Sequence, residues 1–372
     1  MKKKQLILSG IVALLLIALI FWVRQRISFD FGVFRAQLLQ ADWGRIAAAL
    51  ACIYAGYVIR SVRWALLLRH NRKVGVFSLV GTQVIGFTSV ALIGRVADLV
   101  RPYLVAKKAQ TAIGTQVAVY VVERLSDAGA MGLIFSLAVL QISQDDIVKA
   151  IEHSKMLTSL SHFASPWFVG IVFRFSGLAA TVFGVLFLVC VRLRGNAIAA
   201  ACQSVFGLLS KNFGQAVGNK IRGFSTGLDT IRSFGDFAAL ASLSVVMWLL
   251  IAGAYFLTML AFVKSPELVA VNPSRCVLLM VVSGGASIVQ LPVLGWFTQI
   301  GIVAAAIHSF LGATMEASTA CAATLLLVTF LGIVPVGLVW AQLQNVNLRS
   351  VTEESEHAGE EMKAQEAPDA AQ

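Results

Sequence analysis

The chain has 372 residues, 58% hydrophobic and only 13% charged. Soluble domains carry about 25% charged residues, so a water-soluble globular protein is excluded and a polytopic membrane protein is expected. The formal net charge of +11 sits in short loops beside apolar runs, which suits cytoplasmic loops and anionic lipid headgroups rather than a nucleic acid.

Lys2, Lys3 and Lys4 precede an apolar run over 6–23, and Arg24 and Arg26 follow it. The run is too long for a signal-peptide core and shows no small-residue cleavage site, so a retained first span with a cytoplasmic N-terminus is expected. Residues 24–42 are mixed in character and predict an interfacial helix. The second span is 43–68, with Arg60 and Arg63 near one end, placed to snorkel toward the interface. The loop 69–73 is basic and therefore cytoplasmic.

Residues 77–93 are apolar but short, and Gly81 and Gly86 interrupt them; a crossing helix needs roughly twenty residues. Basic stretches flank the run at 69–73 and 95–108. A crossing would put them on opposite sides, whereas a re-entrant hairpin keeps both in the cytoplasm. Backbone broken at that depth needs cover from protein or water, which implies a cavity at 92–97.

Residues 112–140 make the next crossing, 141–165 a polar external loop, and 167–191 a return to the cytoplasm. Between 197 and 234, Phe213, Val217, Ile221, Phe224, Leu228 and Ile231 recur at helical spacing. Basic residues lie between them, so an amphipathic cytoplasmic helix is expected, lying on lipid or on the protein's own loops. Residues 237–263 cross outward. The runs 276–289 and 300–311 are each too short to cross, with Gly284, Gly285, Pro292 and Gly295 breaking the stretch. They read as a second re-entrant pair. Residues 317–343 return, and the acidic tail from 349 is expected to be disordered.

The fold class is therefore an all-α membrane bundle of about six full spans plus two re-entrant broken hairpins in an inverted repeat. Five segments follow: 1–42 with the first span, 43–140 as the first repeat, 141–236 as the connection, 237–343 as the second repeat, and 344–372 as the tail. Paired broken segments in two halves point to a transporter site where the breaks meet.

Against this apolar background, 92–127 carries Arg95, Asp98, Arg101, Glu123, Arg124 and Asp127. Ionisable groups beside hydrocarbon are costly and are functional candidates on that ground. Arg95 and Arg101 lie near the start of the helix after the first break, where arginine's planar fork and free N–H groups suit a phosphate. Asp98 is placed to pair with Arg101 or to take a headgroup amine. Glu123 and Asp127 share one face at i, i+4, and one of them is expected to pair with Arg95 or Arg101 across the hairpin. The alternative for all six is that ion pairs fix helix register. Gln290 and Gln299 are candidate polar liners of the second break. Arg174 reads as a snorkelling residue and His308 as a hydrogen-bonded core histidine.

The five cysteines show no CxxC and no Cys/His cluster, so no disulfide, metal or cofactor is expected. No Ser/His/Asp set, Cys/His pair or HExxH occurs, which argues against an enzyme.

The sequence GRVADLVRPYLVAKK (94–108), followed by VAVYVVERLSD (117–127), resembles the flippase-like domain of the lysylphosphatidylglycerol synthase transmembrane family. The resemblance extends to about Leu343. Arg95, Asp98 and Arg101 fit its first motif, and Glu123, Arg124 and Asp127 its second. Ile93 and Ala97 stand where many members have proline and glycine, and Gln299 stands where an acid is usual. No aminoacyl-transferase domain follows, so the resemblance implies the lipid-translocating half.

The expected function is binding or translocation of a phospholipid or other lipid headgroup in the cytoplasmic (inner) membrane, with both termini cytoplasmic. Its partners are membrane lipids, and a homo-oligomer is left open. The alternatives are a secondary transporter of a small soluble anion, with Glu123 or Asp127 carrying protons, and a non-transporting scaffold.

Overall fold

Aspartates start the first two described helices of the computed structural model, which describes residues 29–69, 74–144, 165–208, 210, 214–215, 217–218, 233–286 and 294–365. Asp30 Oδ1 accepts from the Gly32 and Val33 amides at the start of α1 (Phe31–Leu39), and Asp42 does the same for Gly44 and Arg45 in α2 (Trp43–Leu68). Each aspartate satisfies amides that the first helical turn leaves without an acceptor. The 26 residues of α2 span about 39 Å at 1.5 Å each, more than the roughly 30 Å of a hydrocarbon core.

The chain then folds into a hairpin. Helix α3 (Val76–Ile93) ends at Gly94, where φ 97° and ψ −167° reverse its direction. An L side chain rarely adopts that conformation, so glycine is required there. A 3₁₀ turn (Arg95–Leu99) leads into α4 (Val100–Ala109). The 18 residues of α3 rise about 27 Å, and the turn plus α4 descend about 25 Å. The two arms therefore end level, and Lys108 Nζ donates to the Ser78 carbonyl at 2.8 Å. Gln110, in the left-handed region at φ 52°, stops α4.

Helix α5 (Ile113–Leu140) follows, then α6 (Pro166–Gly207), which is interrupted at Arg194. Next comes α7 (Phe234–Leu260), opened by a capping box in which Ser233 and Asp236 satisfy each other's amides. Short α8 (Pro266–Val269) precedes α9 (Pro273–Ala286) and α10 (Leu294–Leu311), a second hairpin whose turn lies outside the described residues. The closing span runs as α11 (Met315–Leu326), a π turn (Leu327–Leu331) and α12 (Ile333–Leu343). Helix α13 (Leu348–Gln365) ends the described chain. No strand occurs among the described residues.

Helices α2 and α7 run antiparallel along their length. At one end the Asp42 amide donates to the Ala261 carbonyl at 2.8 Å, and at the other Arg69 pairs with Asp236. The helices that open the two units therefore run in opposite directions. The packing mirrors this. Helix α3 of the first hairpin packs on the closing span α12, and α9 of the second hairpin packs on α5, which closes the first unit. Gly337 faces Thr88, whose Oγ1 donates to the Ile333 carbonyl at 3.4 Å. At the equivalent contact, Ser274 donates to Gln141 Oε1 at 2.7 Å.

The chain is a multi-pass all-α membrane bundle. Five described helices are long and apolar enough to cross: Trp43–Leu68, Val76–Ile93, Trp167–Gly184, Phe234–Leu260 and Met315–Leu343. The expected first span at 6–23, most of the external loop 141–165 and most of the amphipathic stretch 209–232 lie outside the described residues. The tail expected to be disordered is helical as α13. Val351, Thr352, Ser355 and Gly359 share one buried face, and Val351 packs with Val90, Ala97 and Val100 on the first hairpin. The acidic composition of the tail concealed this narrow face.

Candidate functional site

The two carboxylates of α5 meet arginines of α2 and α4. Asp127 Oδ1 accepts from Arg63 Nη1 at 2.5 Å, and Asp127 Oδ2 lies 3.3 Å from Arg60 Nη1. Glu123 meets Arg60 at 3.4 Å, Arg63 at 3.5 Å and Arg101 at 3.4 Å. Arg124 reaches back along its own helix, 3.5 Å from Asp127 and 3.8 Å from Glu123. Two carboxylates thus hold four arginines, and the cluster has two positive charges more than negative.

Arg101 is fully buried. Its guanidinium lies over Phe87 at 4.4 Å and Tyr120 at 4.9 Å and donates to Gln83 Oε1 at 3.1 Å. Gly86 makes room for it: a Cβ there would sit 2.1 Å from Arg101 Cγ. The expected pair across the hairpin is Arg101 with Glu123. Asp98 lies instead with Arg95, at 3.9 Å.

A cavity of about 240 Å³ opens beside the cluster, where the two hairpins converge. The first unit lines it with Arg60, Arg95, Asp98 and Arg124, and the second with Trp248, Ser283, Gln299 and Thr329 of the π turn. That turn bonds the Gly332 amide to Leu327, and Tyr54 Oη donates to the Gly332 carbonyl at 2.8 Å. Such π turns break helices at functional sites. Arg124 Nε and Nη2 have no hydrogen-bond acceptor.

Of the residues singled out in the sequence, Arg95, Asp98, Arg124 and Gln299 line the cavity. Glu123 and Asp127 are buried behind it as partners of the arginines, and Arg101 is a buried brace rather than a liner. Gln290 lies outside the described residues. Arg60 and Arg63, expected to snorkel, instead belong to the cluster. The sequence did hold a signal: 64–68 are apolar and put both more than one turn inside the helix end. Arg174, expected at the interface, caps carbonyls of Leu140 and Ile142. His308 Nδ1 lies 2.7 Å from the Ala313 carbonyl, at a helix end.

A family model described as the lysylphosphatidylglycerol synthase TM region matches residues 6–345. No curated protein and no solved structure matches the chain.

Proposed function

We propose that this chain, which belongs to the lysylphosphatidylglycerol synthase TM region family, binds the phosphate of a lipid headgroup between its two hairpins and carries it across the bilayer. The observation that supports this reading is the uncompensated positive charge beside the cavity. Four arginines share two carboxylates there, an excess of like charge that is costly near the core, and a phosphate supplies the acceptor that Arg124 Nε and Nη2 lack. Arginine also binds phosphate through paired N–H groups.

The cavity volume of about 240 Å³ is below the usual range for drug-sized ligands, so a headgroup enters and the acyl chains stay in the bilayer. Under this reading both hairpins are re-entrant, from opposite faces, and the breaks meet near the midplane of the cytoplasmic membrane.

Native mass spectrometry of the protein released from native membranes tests the reading. Retained phospholipid that is lost in Arg124→Ala supports it. Retention of small soluble anions with no lipid favours a soluble-anion transporter, which the same positive charge would serve.

A further inference from the structure

The two units line the cavity with unlike chemistry. The first supplies guanidinium groups for an anion. The lining from the second unit, on α7, α9 and α10, has neutral polar groups that are not satisfied. Gln299 is 7% exposed; its Nε2 donates to Ser283 Oγ at 3.2 Å, while its Oε1 has no partner. The indole Nε1 of Trp248 also has none. Both residues line the cavity.

Buried polar groups are nearly always paired, and the exceptions call for an explanation. Turning the Gln299 amide over exchanges its atoms, and one of them is still left over. A hydroxyl both donates and accepts, so it satisfies the free amide atom either way and also accepts from the indole N–H. An ammonium group accepts nothing and leaves the Trp248 N–H unpaired. It would also need a carboxylate. Among the described lining residues, Asp98 is the one acid, and it lies beside Arg95. Glu123 and Asp127 are held by the four arginines.

Building on the lipid reading above, we infer that the headgroup is anionic at its phosphate and uncharged and hydroxyl-bearing beyond it, with Gln299 and Trp248 reading the hydroxyl. Aminated headgroups are selected against. The phosphate sits against Arg60 and Arg124, and the polar substituent reaches the groups of the second unit.

The test is binding of short-chain phosphatidylglycerol, phosphatidic acid and phosphatidylethanolamine to the full chain in detergent, read by native mass spectrometry. Wild type is expected to bind phosphatidylglycerol about tenfold more tightly than the other two, the gain of a paired hydroxyl. Gln299→Leu and Trp248→Phe should each bring phosphatidylglycerol down toward phosphatidic acid and leave phosphatidic acid unchanged, which also shows that the variants fold. Gln299→Glu should move the preference toward phosphatidylethanolamine. Phosphatidylethanolamine binding as tightly as phosphatidylglycerol in wild type overturns the inference. So does phosphatidic acid binding with no gain from the glycerol. Both of those outcomes leave the lipid reading standing. Binding of none of the three overturns the lipid reading itself and this inference with it.

Discussion

Arg63 and Asp127 are 64 positions apart, yet Nη1 of one meets Oδ1 of the other at 2.5 Å with both side chains buried. Arg124 shares the same carboxylate at 3.5 Å, but its side chain is 40% exposed. One arginine bolts α2 to α5, and the other faces the cavity.

Asp127→Ala should therefore destabilise the protein by about 3–5 kcal/mol, because it removes the nearest carboxylate from buried Arg63 and leaves four arginines on Glu123 alone. Thermal unfolding in detergent measures it. Adding Arg63→Met should restore part of the loss, since an apolar pair replaces a broken ionic one. No recovery in the double variant would mean that the pair does not act as a unit.

Arg124→Ala should do the opposite. Its charge is partly exposed, so the unfolding temperature should stay near wild type. Translocation of a fluorescent phospholipid in proteoliposomes should fall about tenfold, the loss of a charge-assisted hydrogen bond. Arg101→Ala should instead lower stability, because it removes a guanidinium stacked on Phe87 and Tyr120.

Two glycines of the first hairpin make separate expectations. Gly94→Ala imposes a side chain at φ 97° and should cost about 1–3 kcal/mol. Gly86→Ala pushes into Arg101 Cγ and should cost a similar amount, about 1–3 kcal/mol, by overpacking. Gly75→Ala is the control, with φ −64° and open space around it. Equal unfolding temperatures for all three variants would refute the geometry of the turn.

The docking of α13 should depend on pH. Tyr103 Oη donates to Glu354 at 2.7 Å, and this bond, with a second from Ser350, holds the Glu354 carboxyl below its ordinary value. A depressed carboxylate stabilises the folded state above its unfolded pKa of about 4.3. That contribution is lost as pH falls from there through the lower folded value. Hydrogen exchange should show α13 losing protection over that window, and Glu354→Gln should flatten the dependence. An unchanged pH profile in the variant would remove the bond from the account.

The sequence by itself determined the membrane class, the helical elements and their order. Apolar run length is a local property, and the bilayer makes it decisive; Gly81 and Gly86, expected to interrupt 77–93, lie inside the continuous α3. The break at Gly94 and the charges of 95–127 were legible for the same reason. The sequence also placed Glu123 and Asp127 on one helix face, because their spacing is set by the helix alone. It could not say which residues that face would meet. Only the tertiary structure decided that Arg60 and Arg63 turn inward, that Arg101 is a brace while Arg124 is open to the cavity, and that α13 lies on the hairpin. Those outcomes depend on contacts between helices far apart in the chain. The energy of a buried charge is set by what surrounds it in space, not by its neighbours in sequence.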